Sequence, residues 1–238
     1  MMKEMDMRFA AINTWYDFAK EIKHSNRYFI KSDIIDRISE IITKYSSTIA
    51  INTLVFRARI GSSKDYNKGI IPLSASEMGF PPVEKTRNGR SNPQGISYLY
   101  SASDIETAIA EVRPWKSAHV SIGHIYITKN LNVIDITSER DEHNPYEDEM
   151  RSVINFELSR PINPSEADME YIPTQFLAEM IKNQGFDGII FNSSMGPGRN
   201  ITIFKEDHIQ VVKTELYLVD DIKYQYRRSG TRRGEIWI

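Results

Sequence analysis

The chain has 238 residues, with 30 basic against 32 acidic side chains and no cysteine. That length suits one large domain with an extension, the near balance of charge offers no global field for nucleic acid or an acidic substrate, and the missing cysteines exclude disulfide staples, thiolate ligands and a cysteine nucleophile. No apolar run approaches the roughly 18 residues of a membrane span, and "MMKEMDMRFA" lacks the apolar centre of a signal peptide, so a soluble cytoplasmic protein with no membrane partner is expected.

Residues 7 to 23 place Trp15, Phe18, Ala19 and Ile22 on one face, and residues 33 to 45 do the same with Ile34, Ile38, Ile41 and Tyr45. This spacing predicts two amphipathic helices paired as a hairpin across the polar break "HSNRYFIKSD", with Ser32 or Asp33 as the second cap. From about Ile51 the texture changes to short β-rich runs, "TLVFRARI", "HVSIGHIYI", "LNVIDI", "GFDGIIF", "ITIF" and "IQVV", each bounded by turn residues. Between them lie a helix opened by Ser103, with Glu106 completing a capping box, and a helix over 174 to 184 carrying Phe176, Leu177, Met180 and Ile181 and ended by Gly185. The charged stretch "ITSERDEHNPYEDEMR" reads as a surface loop, followed by a helix over "RSVINFELSR". The fold class is therefore α+β. The tail concentrates Arg227, Arg228, Arg232 and Arg233, and the five histidines show no metal-ligand spacing such as HExxH, so no metal site is expected.

The helix opened by Ser103 buries Ile105, Ala108, Ile109 and Val112. At about 100° per residue, Glu111 lies at the boundary of that stripe. Pro114 ends the helix near Arg113, leaving Glu111 in its last turn, where the helix dipole mildly disfavours an acid. Taken alone, Glu111 reads as a surface glutamate with Arg113 as a weak ion partner. In "VFRARI", Arg57 and Arg59 share one strand face, either turned inward toward an anion or exposed along a polar edge. "NGRSNPQG" is a turn-forming loop holding Arg90, just before the strand that delivers Tyr98 and Tyr100. In "FDGIIFNSSMGPGRNITIF" a strand runs into a small-residue loop with Ser193, Ser194, Gly196, Gly198 and Asn200 and then into a second strand. The spacing matches neither a Walker loop nor GxGxxG, and a hairpin connection is its plain meaning.

Taken in order, "FRAR", "GRSNPQG", "YLYSASDIETAIAEVRP" and "GIIFNSSMGPGRNITIF" resemble the RES family over about residues 52 to 215. The resemblance implies a fold similar to ADP-ribosyltransferase toxins, with a mixed or antiparallel β core and flanking helices. It divides the chain into an N-terminal helical extension (1–50), a RES domain (51–218) and a basic tail (219–238). It implies action on NAD, cleaving the nicotinamide–ribose bond by hydrolysis or phosphorolysis, with inorganic phosphate as the co-substrate in the second case and no other cofactor. The family arginine falls on Arg57, the second arginine on Arg90, the tyrosine on Tyr100, the glutamate on Glu111, and the serine on Ser193 or Ser194, with Ser193 preferred. Family habit further implies a toxin, an Xre-type helix-turn-helix antitoxin as partner, and a homodimer.

These residue types suit that chemistry. Cleavage passes through an oxocarbenium-like state that a carboxylate, Glu111, would stabilise. Arginine forks, Arg57 and Arg90, match a diphosphate, and the face of Tyr100 would attract the cationic nicotinamide ring. Ser193 would hydrogen-bond the ribose or a phosphate, with Asn200 shaping the loop. Two alternatives stand beside this reading: an ADP-ribosyltransferase acting on a cellular target, and a non-catalytic module binding through the basic tail. The module's affinity would fall with salt and survive loss of Glu111.

Overall fold

The computed structural model describes residues 2–30, 32–137, 144–163 and 165–226. The four tail arginines Arg227, Arg228, Arg232 and Arg233 lie outside the described residues. The chain opens with α1 (Met2–His24) and α2 (Ser32–Thr43), followed by strands β1 (Ser46–Ile49), β2 (Leu54–Ile60), β3 (Ser63–Asp65) and β4 (Gly69–Ile71). A one-turn α3 (Ala75–Met78) and a long loop lead to β5 (Leu99–Ala102), α4 (Ile105–Glu111), β6 (His119–Ile127) and β7 (Leu131–Asp135). Helices α5 (Pro145–Ser159), α6 (Ala167–Glu170) and α7 (Ile172–Asn183) precede β8 (Gly188–Asn192), β9 (Arg199–Ile203) and β10 (Ile209–Leu218).

Eight strands form one mixed sheet in the order β1-β7-β8-β9-β5-β2-β6-β10, confirming the α+β class. Only β7 and β8 run parallel; parallel neighbours need a long crossover, and α5 to α7 supply it. The "GIIF" run has no polar alternation because both faces of β8 are covered. Ile189 and Phe191 join the core under the helices, while Ile190 joins the opposite one with Ile201, Ile203 and Val55. Between β5 and β2 the pairing is reduced to Phe56 opposite Ala102, so the sheet opens there into two halves.

The predicted helices α1 and α2 are present, but their partners differ from a simple hairpin. Helix α1 lies chiefly along α5 and then α7, and Trp15, Phe18 and Ile22 share one core with Ile154, Leu158, Leu177 and Ile181. Fully burying such large apolar side chains stabilises by about 1.5–3 kcal/mol each, and α5 and α7 are the surfaces that bury them here. The helix expected over "RSVINFELSR" starts earlier, because Asn144 accepts from the Tyr146 and Glu147 amides and Pro145 occupies the first turn. No helix of the described residues is long and apolar enough to cross a membrane.

Candidate active site

Where β5 and β2 part company a cleft of about 510 Å³ opens, within the roughly 300–1,000 Å³ typical of small-molecule sites. One wall is the end of α4 with Glu111, Val112 and Arg113; the floor is Arg57, Tyr100 and Asn200 from three strands; the far wall is Arg90, Ile162 and Tyr171.

Helix α4 differs from expectation at its start. The cap is Asp104, whose carboxylate accepts from the Thr107 amide, and Ser103 donates to that carboxylate at 2.8 Å; the Ser103–Glu106 capping box does not form. A carboxylate one residue further along satisfies the same orphan amide and adds favourable charge at the positive end of the helix. The far end behaves as predicted: Val112 caps, and Arg113 turns to φ 49° before Pro114. Glu111 is half-buried there and forms no ion pair with Arg113 among the described residues. Instead its Oε1 accepts from Ser193 Oγ at 2.6 Å and from Asn200 Nδ2 at 2.7 Å. Two donors fix one oxygen and leave Oε2 without a hydrogen bond among the described residues.

The β8–β9 connection is the predicted hairpin, and it is fastened onto α4. The Gly198 amide donates to Thr107 Oγ1 at 2.8 Å, and the Arg199 amide to Ser103 Oγ at 3.0 Å. A Cβ on Gly198 would collide with Asp104 Oδ2 and Ser103 Oγ, so the approach requires glycine. Within the loop, Ser193 Oγ accepts from the amides of Met195 and Gly196 at 3.0 and 2.9 Å. With its single hydrogen committed to Glu111, this hydroxyl orients the carboxylate rather than donating to a ligand. Ser194 turns away, donating to the Ser159 carbonyl at 2.6 Å, and neither serine lines the cleft.

Arg57 and Arg59 do share a face, and each reaches α3 or the residue just after it: Arg57 Nη1 donates to the Gly79 carbonyl at 2.8 Å, Arg59 Nη1 to that of Glu77 at 2.7 Å. Only Arg57 enters the cleft. Burial, then repulsion from Arg59, pulls its guanidinium down to about 10, so it remains cationic at neutral pH. Arg90 is also held below its usual value, by burial first, and it too donates to carbonyls, those of Arg160 at 2.9 Å and Glu157 at 3.4 Å. Neither forms a salt bridge among the described residues, although the Glu111 carboxylate acts on Arg90 electrostatically, so both charges are oriented yet open to an anion.

The Gly-Arg loop is built as tightly. Tyr100 donates to Asn92 Oδ1 at 2.7 Å and accepts from the Ser91 amide at 2.9 Å, and burial pushes its phenol up to about 12. Thr174 and Gln175 of α7 hold the carbonyls of Arg90 and Gly89. Gly89 lies so close to Tyr100 and Asn92 that a Cβ would collide with both. The structure thus brings together Arg57, Arg90, Tyr100, Glu111 and Asn200, with Ser193 behind Glu111, and leaves Ser194 outside. Sequence reasoning missed Tyr171 and Ile162, because nothing local marks residues that meet the site only through the crossover, and it treated Arg113 as a mere ion partner. With Arg57, Arg90 and Arg113 around a single carboxylate, the cleft favours an anionic ligand.

A family model described as RES domain matches residues 55–227. No curated protein matches the sequence. Among solved structures the chain is similar to one from the crystal structure of the M. tuberculosis MbcT–MbcA toxin–antitoxin complex. The identity is 14%, the match covers 77% of this chain and 92% of that one, and the TM-score is 0.43.

Proposed function

The chain belongs to the RES domain family, and from that premise we propose that it cleaves the bond between nicotinamide and ribose in NAD. The observation that carries the reading is Glu111 held by Ser193 and Asn200 in a cleft that also receives Arg57 and Arg90. As the C1′–N bond breaks, its electron pair goes to the nicotinamide nitrogen, which leaves neutral, and positive charge develops on C1′ and the ring oxygen. A fixed carboxylate beside that sugar stabilises the charge without reorganising, because its orientation is set before the reaction begins. Arg57 and Arg90 receive the diphosphate, and the Tyr100 ring provides a face for the nicotinamide while it is still cationic. An oxygen of water or of inorganic phosphate then bonds to C1′. Water loses a proton and gives ADP-ribose; phosphate gives the 1-phosphate of ADP-ribose.

Family membership also supports a toxin's role for this activity, with an Xre-type antitoxin as its counterpart. The test is nicotinamide release from NAD by purified protein, with and without phosphate, comparing wild type with Glu111→Gln. Release that needs phosphate names phosphorolysis, and release without it names hydrolysis. Nicotinamide release with lasting label on a macromolecule names ADP-ribose transfer. Folded wild type that releases none overturns the reading.

A further inference from the structure

The groups that hold the Arg90 guanidinium all come from one stretch, residues 157 to 171. The carbonyls of Arg160 and Glu157 accept from Nη1, and the Tyr171 ring lies 5.4 Å from the guanidinium carbon. That stretch has little structure of its own. After α5 ends, residues 161–163 and 165–166 belong to no helix or strand, and the four-residue α6 that follows is too short to be stable by itself. A hydrogen bond from Asn88 Nδ2 to Asp168 Oδ1 and a chain of charges tie the stretch down. Arg160 Nε donates to Glu157 Oε2 at 2.8 Å and Arg160 Nη2 to Glu170 Oε2 at 2.5 Å, closing the stretch on itself. The other oxygen of Glu170 accepts at 2.7 Å from Lys23 Nζ, at the end of α1 and outside the residues the family model matches.

We propose that Lys23 is a positioning residue for Arg90, acting through Glu170 and Arg160, so that the N-terminal helix sets where a cleft arginine sits. The charges are well placed for this. The side chains of Lys23, Glu170 and Arg160 are only 15%, 29% and 24% exposed, so their attraction is weakly screened, and removing one leaves its partner inadequately compensated. The Lys23 ammonium, more than Arg160, holds the Glu170 carboxyl below the usual range against the effect of burial. Without Lys23, Glu170 is free to follow Arg160 alone; the Arg160 main chain shifts, and its carbonyl no longer aims Arg90 into the cleft. The proposal rests on the reading of the cleft as an NAD site.

The experiment uses the full chain with Lys23→Met, Lys23→Arg, Glu170→Gln and the Met/Gln double variant. Two readouts are taken: KM and kcat for nicotinamide release, and amide hydrogen exchange over residues 160–173. Lys23→Met is expected to raise KM about fivefold, with kcat within about twofold, and to speed exchange in that stretch. Lys23→Arg is expected to match wild type, and Lys23→Met to add nothing in the Glu170→Gln background. Wild-type KM and exchange in Lys23→Met, a defect that arginine fails to rescue, or one that adds to Glu170→Gln overturns the proposal. If Lys23→Met does not fold, Glu170→Gln carries the same expectation. Should wild type leave NAD untouched, the NAD reading falls while the exchange comparison still decides whether Lys23 fixes the stretch.

Discussion

Ser193 and Glu111, separated by 82 residues in the chain, meet through a 2.6 Å hydrogen bond in which the hydroxyl donates and Glu111 Oε1 accepts. The same hydroxyl accepts two backbone amides of its own loop, so loop conformation and carboxylate orientation are one arrangement.

Ser193→Ala removes one of two donors from Glu111 and leaves two loop amides without their acceptor. Nicotinamide release is expected to fall about 10- to 100-fold, with a stability loss of about 1 kcal/mol. Ser194→Ala, which removes an exposed hydroxyl that donates to the Ser159 carbonyl outside the cleft, is expected to stay within about twofold of wild type. Steady-state kinetics and thermal melts of both variants check the contrast; equal losses would remove the distinction between the serines.

Arg57→Lys and Arg90→Lys keep the charge but lose the planar fork. If the two guanidiniums receive a diphosphate, each is expected to weaken NAD binding by about 1.5–3 kcal/mol, read by calorimetry or as KM. Arg59→Lys, which points at the Glu77 carbonyl outside the cleft, is expected to leave binding unchanged.

Gly198→Ala places a methyl group against Asp104 and Ser103, where the hairpin meets α4. Either the hairpin or the cap must move, at an expected cost of about 1–3 kcal/mol, with activity lost as Ser193 withdraws from Glu111. Denaturant unfolding alongside the nicotinamide assay measures both effects.

Far from the cleft, Lys213 first and His124 second hold the Glu215 carboxyl down to about 2. A depressed folded-state value means the unfolded chain binds this proton more readily. The contribution is fully present above the unfolded value of about 4.5 and is lost as pH falls toward about 2. Glu215→Gln is therefore expected to flatten the decline of stability over that window. Urea unfolding at a series of acidic pH values compares the slopes, and identical slopes would refute the linkage.

Much of this protein was legible in one dimension. The 3.6-residue stripe through Trp15, Phe18 and Ile22, the alternation and turn residues of the strands, the β8–β9 hairpin, and Pro114 stopping a helix just after Glu111 are local signals, and local sterics and burial decide them. The resemblance of the sequence motifs likewise pointed to Arg57, Arg90, Tyr100 and Glu111, which the structure places along one cleft. Tertiary structure alone decided the rest. Ser193 and Ser194 are neighbours of identical type, and which one meets Glu111 depends on how the hairpin seats on α4 through Gly198, Thr107 and Ser103. Ser103 and Asp104 compete for one cap, and the same seating draws Ser103 to the Arg199 amide and leaves the cap to Asp104. Tyr171 reaches the cleft, and Lys23 reaches Glu170, only because the crossover folds back and α1 packs against it. Such contacts join residues far apart in the chain, and no periodicity records them, because they form only when separate elements bury their apolar faces together.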